Sequence, residues 1–291
     1  MEERNVNTIN LDNLSTFEVL KKINEEDKKV AVAVDKELPS IEKAVDIIVE
    51  SFKNGGRLFY VGSGSSGKIG VVDASECPPT FGVDDSMVQG IISGGNNALS
   101  GWLEETEDDG DLALKDLKEK GVNRKDVVVG ITASGNTPYV NSAVEYSNKI
   151  GCKTIGVVCS KGKLNEKCDI TICVNVGPEV IMGSTRMKAG TAQKMVLNML
   201  STTSMIKIGN TYSNLMVNVR PINKKLKDRV RQIVKLATNA DDLVVSKVVE
   251  ECNYDAKAAI VEIIMGDGSK KAQELLEEFD GNVSKAIDSL K

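Results

Sequence analysis

A short stretch rich in glycine and serine, residues 62–67 (GSGSSG), constrains the fold more than any other part of the sequence. It follows an apolar, strand-like run at residues 57–61 and precedes a segment typical of a helix start. In parallel sheets, a strand, a tight turn and a helix start in this order present backbone N–H groups to an anion. Glycines allow positive φ angles and close approach of a ligand, and serine hydroxyls add hydrogen-bond donors. We therefore predict a turn that binds a phosphate; the alternative is a tight turn without a ligand.

Two nucleotide-binding motifs match this stretch in part, and neither is complete. Its glycines fit the G-x-G-x-x-G dinucleotide pattern, but the next strand-like run, residues 88–92, ends in SGG instead of the acidic residue that would hold a ribose. The spacing also fits a Walker A loop as far as Lys68, but Ile69 occupies the position where a Ser or Thr would bind magnesium. A serine-rich loop for a single phosphate, such as that of a sugar phosphate, fits better.

Apolar, strand-like runs alternate with helical stretches in the middle of the chain. The further runs lie at residues 88–92, 127–131, 154–158 and 170–174, and the helical stretches between them include 97–120 and 138–149. Alternation of this kind predicts an α/β fold, a doubly wound parallel sheet flanked by helices on both faces.

Helical patterns precede and follow this sheet region. A capping box at Ser15 and Glu18 opens the first predicted helix, which Pro39 breaks before a second helix at about 41–53. After the last strand, a long helix is predicted at about 184–208.

The tail of the chain is divided by glycine-containing breaks at residues 266–268 and 280–282. The three short helical pieces between and around them suit a small C-terminal helical bundle. We therefore expect three regions, namely N-terminal helices (1–53), a sheet domain (54–220) and a C-terminal helical region (221–291).

The composition of the chain limits which partners and which cellular location we expect. The 291-residue chain is 41% hydrophobic and carries a formal net charge of −5 without a long basic block, so we expect no nucleic acid and no anionic membrane as a partner. It has neither an apolar run of about 18 residues nor an N-terminal signal sequence, and we expect a cytoplasmic protein.

The residue types that are present limit the chemistry. The chain contains no histidine, which removes the usual general base, the Ser–His triad and the usual zinc ligands. Its six cysteines form no C-x-x-C pair and are expected to be reduced, mostly buried thiols. Acid–base chemistry would therefore come from Glu, Asp, Lys, Tyr or Cys.

A second loop of small polar residues, 132–138 (TASGNTP), follows the strand-like run at 127–131, and Pro138 suits the first turn of a helix. Loops at the carboxyl ends of strands in one parallel sheet converge on one crevice. The two loops together favour a phosphorylated small molecule as the ligand.

The pair of loops resembles the sugar-isomerase (SIS) domain, and longer strings resemble a narrower family. Residues 73–82 (DASECPPTFG) and 183–194 (GSTRMKAGTAQK) are similar to those of the N-acetylmuramic acid 6-phosphate etherases, as is the N-terminal run 7–27. The resemblance covers nearly the whole chain, including the small C-terminal helical module. The departures are mild: Ser65 stands where a Thr is common, and residues 68–69 (KI) where Arg-Leu is common.

The resemblance implies cleavage of the D-lactyl ether of N-acetylmuramic acid 6-phosphate to N-acetylglucosamine 6-phosphate and D-lactate, in cell-wall amino-sugar recycling. It implies a homodimer with the site near the subunit interface, and no metal or nucleotide cofactor. Two glutamates would be catalytic, Glu76 in the SECPP string and Glu107 in the acidic stretch 104–109, where other carboxylates crowd the assignment. The substrate-binding residues would lie in the two loops and in the GSTRMK string: Ser63, Ser65, Ser66, Ser134, Gly135, Asn136, Thr137, Ser184, Arg186 and Lys188.

Elimination of lactate needs a base for the C2 proton of the sugar and an acid for the ether oxygen. Pro78 is expected to end the preceding helix near Cys77, so that Glu76 would lie at a helix C-terminus, where the dipole favours the protonated acid. Glu107, with charged neighbours, would be the base.

Other functions and other roles for these residues stay open. A non-catalytic sugar-phosphate-binding regulator would keep both loops but would not need both glutamates. An aldose–ketose isomerase or deaminase of the same fold disagrees with the DASECPP string. Glu76 and Glu107 are each compatible with a solvated surface position, whereas Arg186 and Lys188 would hold the substrate carboxylate or pair with acidic residues across a dimer interface.

Overall fold

The structure is a computed structural model that describes residues 3–101 and 104–290. These residues divide into two compact units. The first takes the described residues of Met1–Ser75 and Ser86–Ser201, and the second those of Glu76–Asp85 and Thr202–Lys291. The region boundaries expected at residues 53/54 and 220/221 stay predictions.

Five parallel strands form the sheet of the first unit, in the order β2-β1-β3-β4-β5. They are β1 (Leu58–Gly62), β2 (Val88–Ile92), β3 (Val127–Ile131), β4 (Lys153–Val158) and β5 (Ile170–Cys173). The predicted parallel sheet is confirmed. Because the chain crosses from β1 to β2 on one side and reaches β3 on the other, the topological switch point lies between β1 and β3.

Helices cover both faces of the sheet. The helices of the first unit, two of which continue into the second, are α1 (Thr16–Asp35), α2 (Leu38–Lys53), α3 (Gly64–Phe81), α4 (Asn96–Ser100), α5 (Gly110–Glu119), α6 (Pro138–Lys149) and α7 (Lys188–Lys207). Phe59 and Val61 share one core with buried residues of α5 and α6. Tyr60 points the other way, where its hydroxyl donates to the Leu197 carbonyl of α7 at 3.5 Å. Every residue of β1 and β3 is buried, as expected for strands covered on two faces.

The N-terminal helices begin close to where the sequence predicts. Ser15 and Glu18 form the capping box of α1, in which the Ser15 amide donates to the Glu18 carboxylate at 2.9 Å. The second helix begins at Leu38, so that Pro39 lies in its first turn and not in the break. A proline is tolerated there because the first-turn N–H groups have no helical acceptor in any case.

The helix predicted at residues 97–120 is interrupted in the structure. Instead there are α4, a 3-10 turn at Glu104–Thr106 and α5, while residues 102–103 lie outside the described part of the chain. Asp109 caps the new helix, since its side chain accepts from the Leu112 amide at 2.9 Å. A capping side chain stabilises a helix start, and the flanking Gly101 and Gly110 have low helix propensity.

The expectation that Pro78 ends its helix near Cys77 is wrong. Helix α3 continues through Pro78 and Pro79 to Phe81, and the Gly82 amide then donates to the Pro78 carbonyl at 2.9 Å. Cys77 and Phe81 lie four residues apart on one helix face and are both buried. Packing of this face outweighs the helix-breaking tendency of the prolines.

Helices form most of the second unit. They are α8 (Lys224–Thr238), α9 (Asp242–Glu251), α10 (Ala256–Met265), α11 (Ser269–Glu278) and α12 (Val283–Asp288). Four consecutive residues of α10, 258–261, are completely buried, so that this helix is central to the core. Gly266 ends it with a φ of 77°, and the helix breaks predicted in the tail are confirmed.

Candidate active site

The first predicted loop is a very tight turn between β1 and α3. Only Ser63 lies between Gly62, the last residue of β1, and Gly64, the first of α3. A Cβ atom added to Gly67 would lie 2.6 Å from the Gly62 carbonyl oxygen, and one added to Gly62 would lie 2.7 Å from the Gly67 nitrogen. Both glycines are therefore required by the close approach of helix and strand, independently of any ligand.

This turn concentrates polar groups at the amino end of α3. The first-turn N–H groups of the helix have no intrahelical acceptor, and such groups attract anions. Ser65 is exposed and Ser66 half-buried, and the Ser66 hydroxyl donates to Oε1 of Gln193 at 3.0 Å. The Ser63 hydroxyl is buried and has no hydrogen-bond partner within residues 3–101 and 104–290.

The second predicted loop follows β3, the strand adjacent to β1, and is braced by the segment after β4. Gly135 has a φ of 73°, and its carbonyl accepts from the Leu164 amide at 2.9 Å. The Asn136 amide donates to the Ser134 hydroxyl at 3.1 Å, which closes a local turn. Since both loops leave the carboxyl ends of adjacent parallel strands, they flank the switch point of the sheet.

Glu107 is held against this second loop although it precedes the loop by about 30 residues. Its Oε1 accepts from the Thr137 hydroxyl at 3.0 Å, and its backbone carbonyl accepts from the Tyr139 amide at 3.0 Å. Thr137 in turn lies 2.8 Å from the hydroxyl of Thr132. The Glu107 side chain is exposed, so the carboxylate is both anchored and accessible.

A partly buried contact between α5 and α6 fixes the segment that carries Glu107. The Tyr139 hydroxyl donates to Asp116 at 2.5 Å. Burial raises the pKa of Asp116, and burial together with the adjacent carboxylate raises the pKa of Tyr139 well above its usual range. Because α5 begins three residues after Glu107, this contact holds the start of α5 beside the second loop.

A third segment, residues 180–187, is pinned at both ends. Glu179 accepts from the backbone amides of Lys188 and Ala189, both at 3.0 Å, and so caps α7. At the other end, the Asn5 side chain donates to the Pro178 carbonyl at 3.1 Å and the Thr8 hydroxyl to the Val180 carbonyl at 2.9 Å. Within this segment the Ser184 side chain is half-buried and Arg186 is exposed.

Lys188 makes a buried ion pair inside the chain. Its ammonium lies 2.7 Å from the Glu26 carboxylate, and their side chains are 1% and 4% exposed. Burial alone would raise the pKa of Glu26, but hydrogen bonds from Lys188, Lys29 and neighbouring amides lower it to about 2. The ammonium predicted to hold an anion therefore binds an acidic side chain of its own subunit.

Glu76 belongs to the second unit and is exposed on α3. It lies five residues before the end of this helix, outside the last turn. The dipole effect is confined to the last turn, so the physical reason for assigning the acid role to Glu76 does not apply.

Several other sequence expectations can be compared with the described residues. The six cysteines are free thiols, and burial raises the pKa of Cys152, Cys159 and Cys168 to about 12. Within residues 3–101 and 104–290, no group of three or more Cys, Asp or Glu side chains is arranged to hold a metal ion. No helix in that part of the chain has the length and apolar character needed to cross a membrane.

The sequence did not point to several residues that organise the site. Gln193 contacts Ser66, Glu179 caps α7, and Glu26 neutralises Lys188. Each contact joins residues more than 100 positions apart or depends on where a helix begins, so the periodicity of apolar residues does not predict it. The available signals were the presence of Gln193 in the GSTRMKAGTAQK string and of Glu26 in the N-terminal run 7–27.

Comparisons with protein families place both loops in SIS domains. The glucokinase regulatory protein N-terminal SIS domain matches residues 40–148, and the SIS domain matches residues 109–203. Among solved structures, the c3406 protein of Escherichia coli CFT073 has a TM-score of 0.50 at 17% identity, covering 69% of this chain and 97% of that chain. Phosphoheptose isomerase from Neisseria gonorrhoeae also has a TM-score of 0.50, at 16% identity, covering 65% and 98%. These likenesses confirm the SIS type of sheet and carry no information on activity.

Curated relatives match over nearly the whole chain. An N-acetylmuramic acid 6-phosphate etherase of Caldanaerobacter subterraneus subsp. tengcongensis is 54% identical over 98% of this chain and 94% of its own length. Etherases of the same name from a Geobacillus species and from Clostridioides difficile are 49% and 48% identical, over 98% and 99% of this chain and 97% and 95% of their own lengths.

Proposed function

This chain belongs to the N-acetylmuramic acid 6-phosphate etherase family, and on that premise we propose that it cleaves the D-lactyl ether of this sugar phosphate by elimination and hydration. The products are N-acetylglucosamine 6-phosphate and D-lactate. The observation that carries the proposal is the 54% identity with an etherase over 98% of the chain. The two polar loops at the switch point of the sheet supply a suitable site for a sugar phosphate.

The proposed reaction begins on the open-chain form of the sugar. The C1 aldehyde acidifies the C2 proton, a base removes this proton, and the C3–O bond breaks as an acid protonates the departing lactate. Water then adds to the resulting enal, with its hydroxyl on C3 and a proton on C2. The net change is the addition of one water and the release of lactate, so no redox partner is needed.

Glu107 is the proposed base. The hydroxyl of Thr137 donates to its carboxylate, and this hydrogen bond fixes the orientation of the side chain beside the second loop. The exposed side chain can reach a bound substrate without unfolding of the loop. Glu76 is the proposed acid for the ether oxygen, on the strength of the family resemblance of its SECPP string.

The phosphate is proposed to bind at the amino end of α3. The first-turn N–H groups and the hydroxyls of Ser63, Ser65 and Ser66 provide donors, and a helix N-terminus favours an anion. The second loop, residues 134–137, contributes further hydroxyl and amide groups. In this arrangement no metal or nucleotide cofactor is required.

The lactyl carboxylate is proposed to bind at the segment that carries Ser184 and Arg186. The exposed guanidinium of Arg186 suits a carboxylate, which it can bind with two parallel hydrogen bonds. The Glu26 pair favours an indirect contribution from Lys188, which holds the end of this segment in place.

We further propose that the protein acts as a homodimer with the site near the subunit interface, in the cytoplasm and in cell-wall amino-sugar recycling. A set of exposed large apolar side chains supports the dimer, because such side chains are commonly covered at an interface. The side chains lie on the N-terminal segment and on the adjoining residues 181–182: Val6, Ile9, Phe17, Leu20, Ile181 and Met182.

The main alternative is a non-catalytic sugar-phosphate-binding regulator. Incubation of the purified protein with N-acetylmuramic acid 6-phosphate, followed by an enzymatic assay of D-lactate, separates the two functions. The proposal predicts D-lactate and N-acetylglucosamine 6-phosphate in equal amounts. Binding of the sugar phosphate without any turnover would favour the regulator.

A further inference from the structure

We propose that Gln193 positions the Ser66 hydroxyl for the substrate phosphate, by turning its side-chain amide when the site fills. The inference rests on the phosphate role proposed for residues 62–67. It concerns a residue of α7 that touches Ser66 and not the substrate.

The side chain of Gln193 is only partly satisfied. It is 1% exposed, and its Oε1 accepts from the Ser66 hydroxyl at 3.0 Å. Its Nε2 is buried and has no hydrogen-bond partner in the part of the chain that the structure describes, residues 3–101 and 104–290. A buried NH₂ group without an acceptor is costly, but a half-turn of the amide would place Oε1 in the same unpartnered position, so contacts within the protein leave one amide group unsatisfied in either orientation.

The direction of the Ser66 hydroxyl hydrogen determines whether Ser66 can donate a hydrogen bond to a ligand. A serine hydroxyl carries one hydrogen, and here this hydrogen points to Gln193. With its hydrogen directed to Gln193, Ser66 could offer a phosphate only lone pairs, which repel it. A bound phosphate would therefore require Gln193 to donate to Ser66 instead of accepting from it.

Turning the Gln193 amide by about 180° exchanges its oxygen and nitrogen with little change in shape. Nε2 then donates to the Ser66 oxygen, and the Ser66 hydrogen is released for a phosphate oxygen. The buried NH₂ group gains an acceptor while Oε1 takes the unpartnered position, so the new hydrogen bond to the phosphate is the contact that favours this orientation. A hydroxyl that accepts one hydrogen bond is also a better donor in the next, so the chain from Gln193 through Ser66 to the phosphate is cooperative.

Contacts of α7 with Cys159 and with α3 keep Gln193 beside Ser66. The Cys159 thiol donates to the Ala189 carbonyl of α7 at 3.8 Å, and a Cβ atom at Gly190 would lie 3.5 Å from the Ile69 side chain of α3. Glu179 already occupies the amides of the first two residues of α7. Of these two helices, α3 therefore has the amino end that stays available to an anion, and Gln193 supports it from the side.

The test compares Gln193→Glu, Gln193→Met and Ser66→Ala, with binding of N-acetylglucosamine 6-phosphate and of inorganic phosphate measured by calorimetry. A glutamate carboxylate can only accept from Ser66, so we expect Gln193→Glu to weaken binding about tenfold or more. Methionine leaves the hydroxyl without a partner, and we expect a loss of about threefold. In turnover, both variants should raise KM with little change in kcat, because phosphate contacts act equally on ground and transition states.

A double-mutant cycle separates the effect of the glutamate's negative charge from the effect of its inability to donate a hydrogen bond to Ser66. The Gln193→Glu change is also made in the Ser66→Ala protein, where no hydroxyl remains to be misdirected. We expect the glutamate to weaken binding much less there than in the wild-type background. An equal loss in both backgrounds would overturn the role of Gln193 and leave the etherase proposal intact.

Two further outcomes distinguish this inference from the proposed function. If the wild-type protein binds the sugar phosphate but releases no D-lactate, the etherase activity is refuted and the binding cycle still decides the role of Gln193. If the wild-type protein binds neither sugar phosphate nor phosphate, both proposals are refuted. Thermal unfolding of each ligand-free variant shows whether an affinity change reflects misfolding.

Discussion

The hydroxyl of Thr137 donates a 3.0 Å hydrogen bond to the carboxylate of Glu107, across 30 residues of sequence. Thr137 has one hydroxyl hydrogen, so the 2.8 Å contact with Thr132 must be donated by Thr132. A directed row of hydroxyls therefore ends on the proposed base.

We expect Thr137→Val to lower kcat about tenfold or more, because it removes a hydrogen bond to a charged group. Thr137→Ser keeps the hydroxyl and should retain activity within about threefold. The measurement is the initial rate of D-lactate release at saturating substrate, with C2 proton exchange in deuterated water as a second readout. Equal activity of the Val and Ser variants would show that the hydroxyl is not needed.

If Glu107 is the base and Glu76 the acid, variants of the two glutamates should differ in which step of the reaction they retain. Glu107→Gln should lose both C2 exchange and lactate release, since the base is missing. Glu76→Gln should still exchange the C2 proton with solvent deuterium but release no lactate. Glu105→Gln, in the same acidic stretch and also exposed, is the matched control and should remain active. Loss of exchange in Glu76→Gln would reverse the two roles.

The buried pair of Glu26 and Lys188 predicts a large loss of stability when one partner is removed. Glu26→Gln leaves the buried ammonium without its main counter-ion, and we expect the free energy of unfolding to fall by about 3–5 kcal/mol. Glu26→Gln combined with Lys188→Met should cost less than the sum of the single changes. Urea unfolding of the three variants measures both effects, and strict additivity would contradict the pairing.

The lowered pKa of Glu26 also predicts how stability depends on pH. Hydrogen bonds lower the pKa from 4.5 to about 2 in the folded protein, so the folded state favours the ionised form. This contribution is complete above about pH 5 and is lost as the pH falls towards 2, by roughly 3 kcal/mol. Urea unfolding at pH 6 and pH 3 should therefore show a smaller difference for Glu26→Gln than for the wild-type protein. An unchanged difference would show that groups other than Glu26 cause the loss of stability at low pH.

The close approach of β1 and α3 predicts that Gly67→Ala weakens sugar-phosphate binding. The new Cβ would lie 2.6 Å from the Gly62 carbonyl oxygen, so the start of α3 must shift, at a cost of about 1–3 kcal/mol. Gly55→Ala is the control, because Gly55 has a φ of 73° but open space around it and precedes the opposite end of β1. We expect it to lose about 1 kcal/mol of stability with unchanged affinity. Calorimetric titration with N-acetylglucosamine 6-phosphate compares the two.

Local patterns in the sequence were sufficient for the sheet and for both loops. Apolar runs bounded by glycine and serine indicate buried parallel strands, and small polar residues after β1 and β3 indicate the crevice. The same local reasoning failed at Pro78, because the burial of Cys77 and Phe81 on one helix face outweighs the effect of proline. It also failed at residues 97–120, where Asp109 caps a new helix.

Long-range partners could not be predicted from these patterns. Lys188 has the charge and position of an anion ligand in the sequence, and only the fold places Glu26 against it. Likewise, the sequence indicates Ser66 as a phosphate donor, and only the fold shows that its hydroxyl also contacts Gln193. Such pairings depend on the packing of helices whose relative positions a local motif does not specify.

Hydrogen bonds between the N-terminal segment and the chain near α7 affect the order in which this protein can fold. Asn5 and Thr8 contact Pro178 and Val180 across 173 and 172 residues, and Glu26 reaches Lys188 across 162. Contacts of such long sequence separation form late, since the intervening chain must first be closed into a loop. On the ribosome, residues 5–8 and α1 must wait until nearly two thirds of the chain has emerged before they can dock. A nascent chain halted before Val180 should therefore have a protease-sensitive amino terminus.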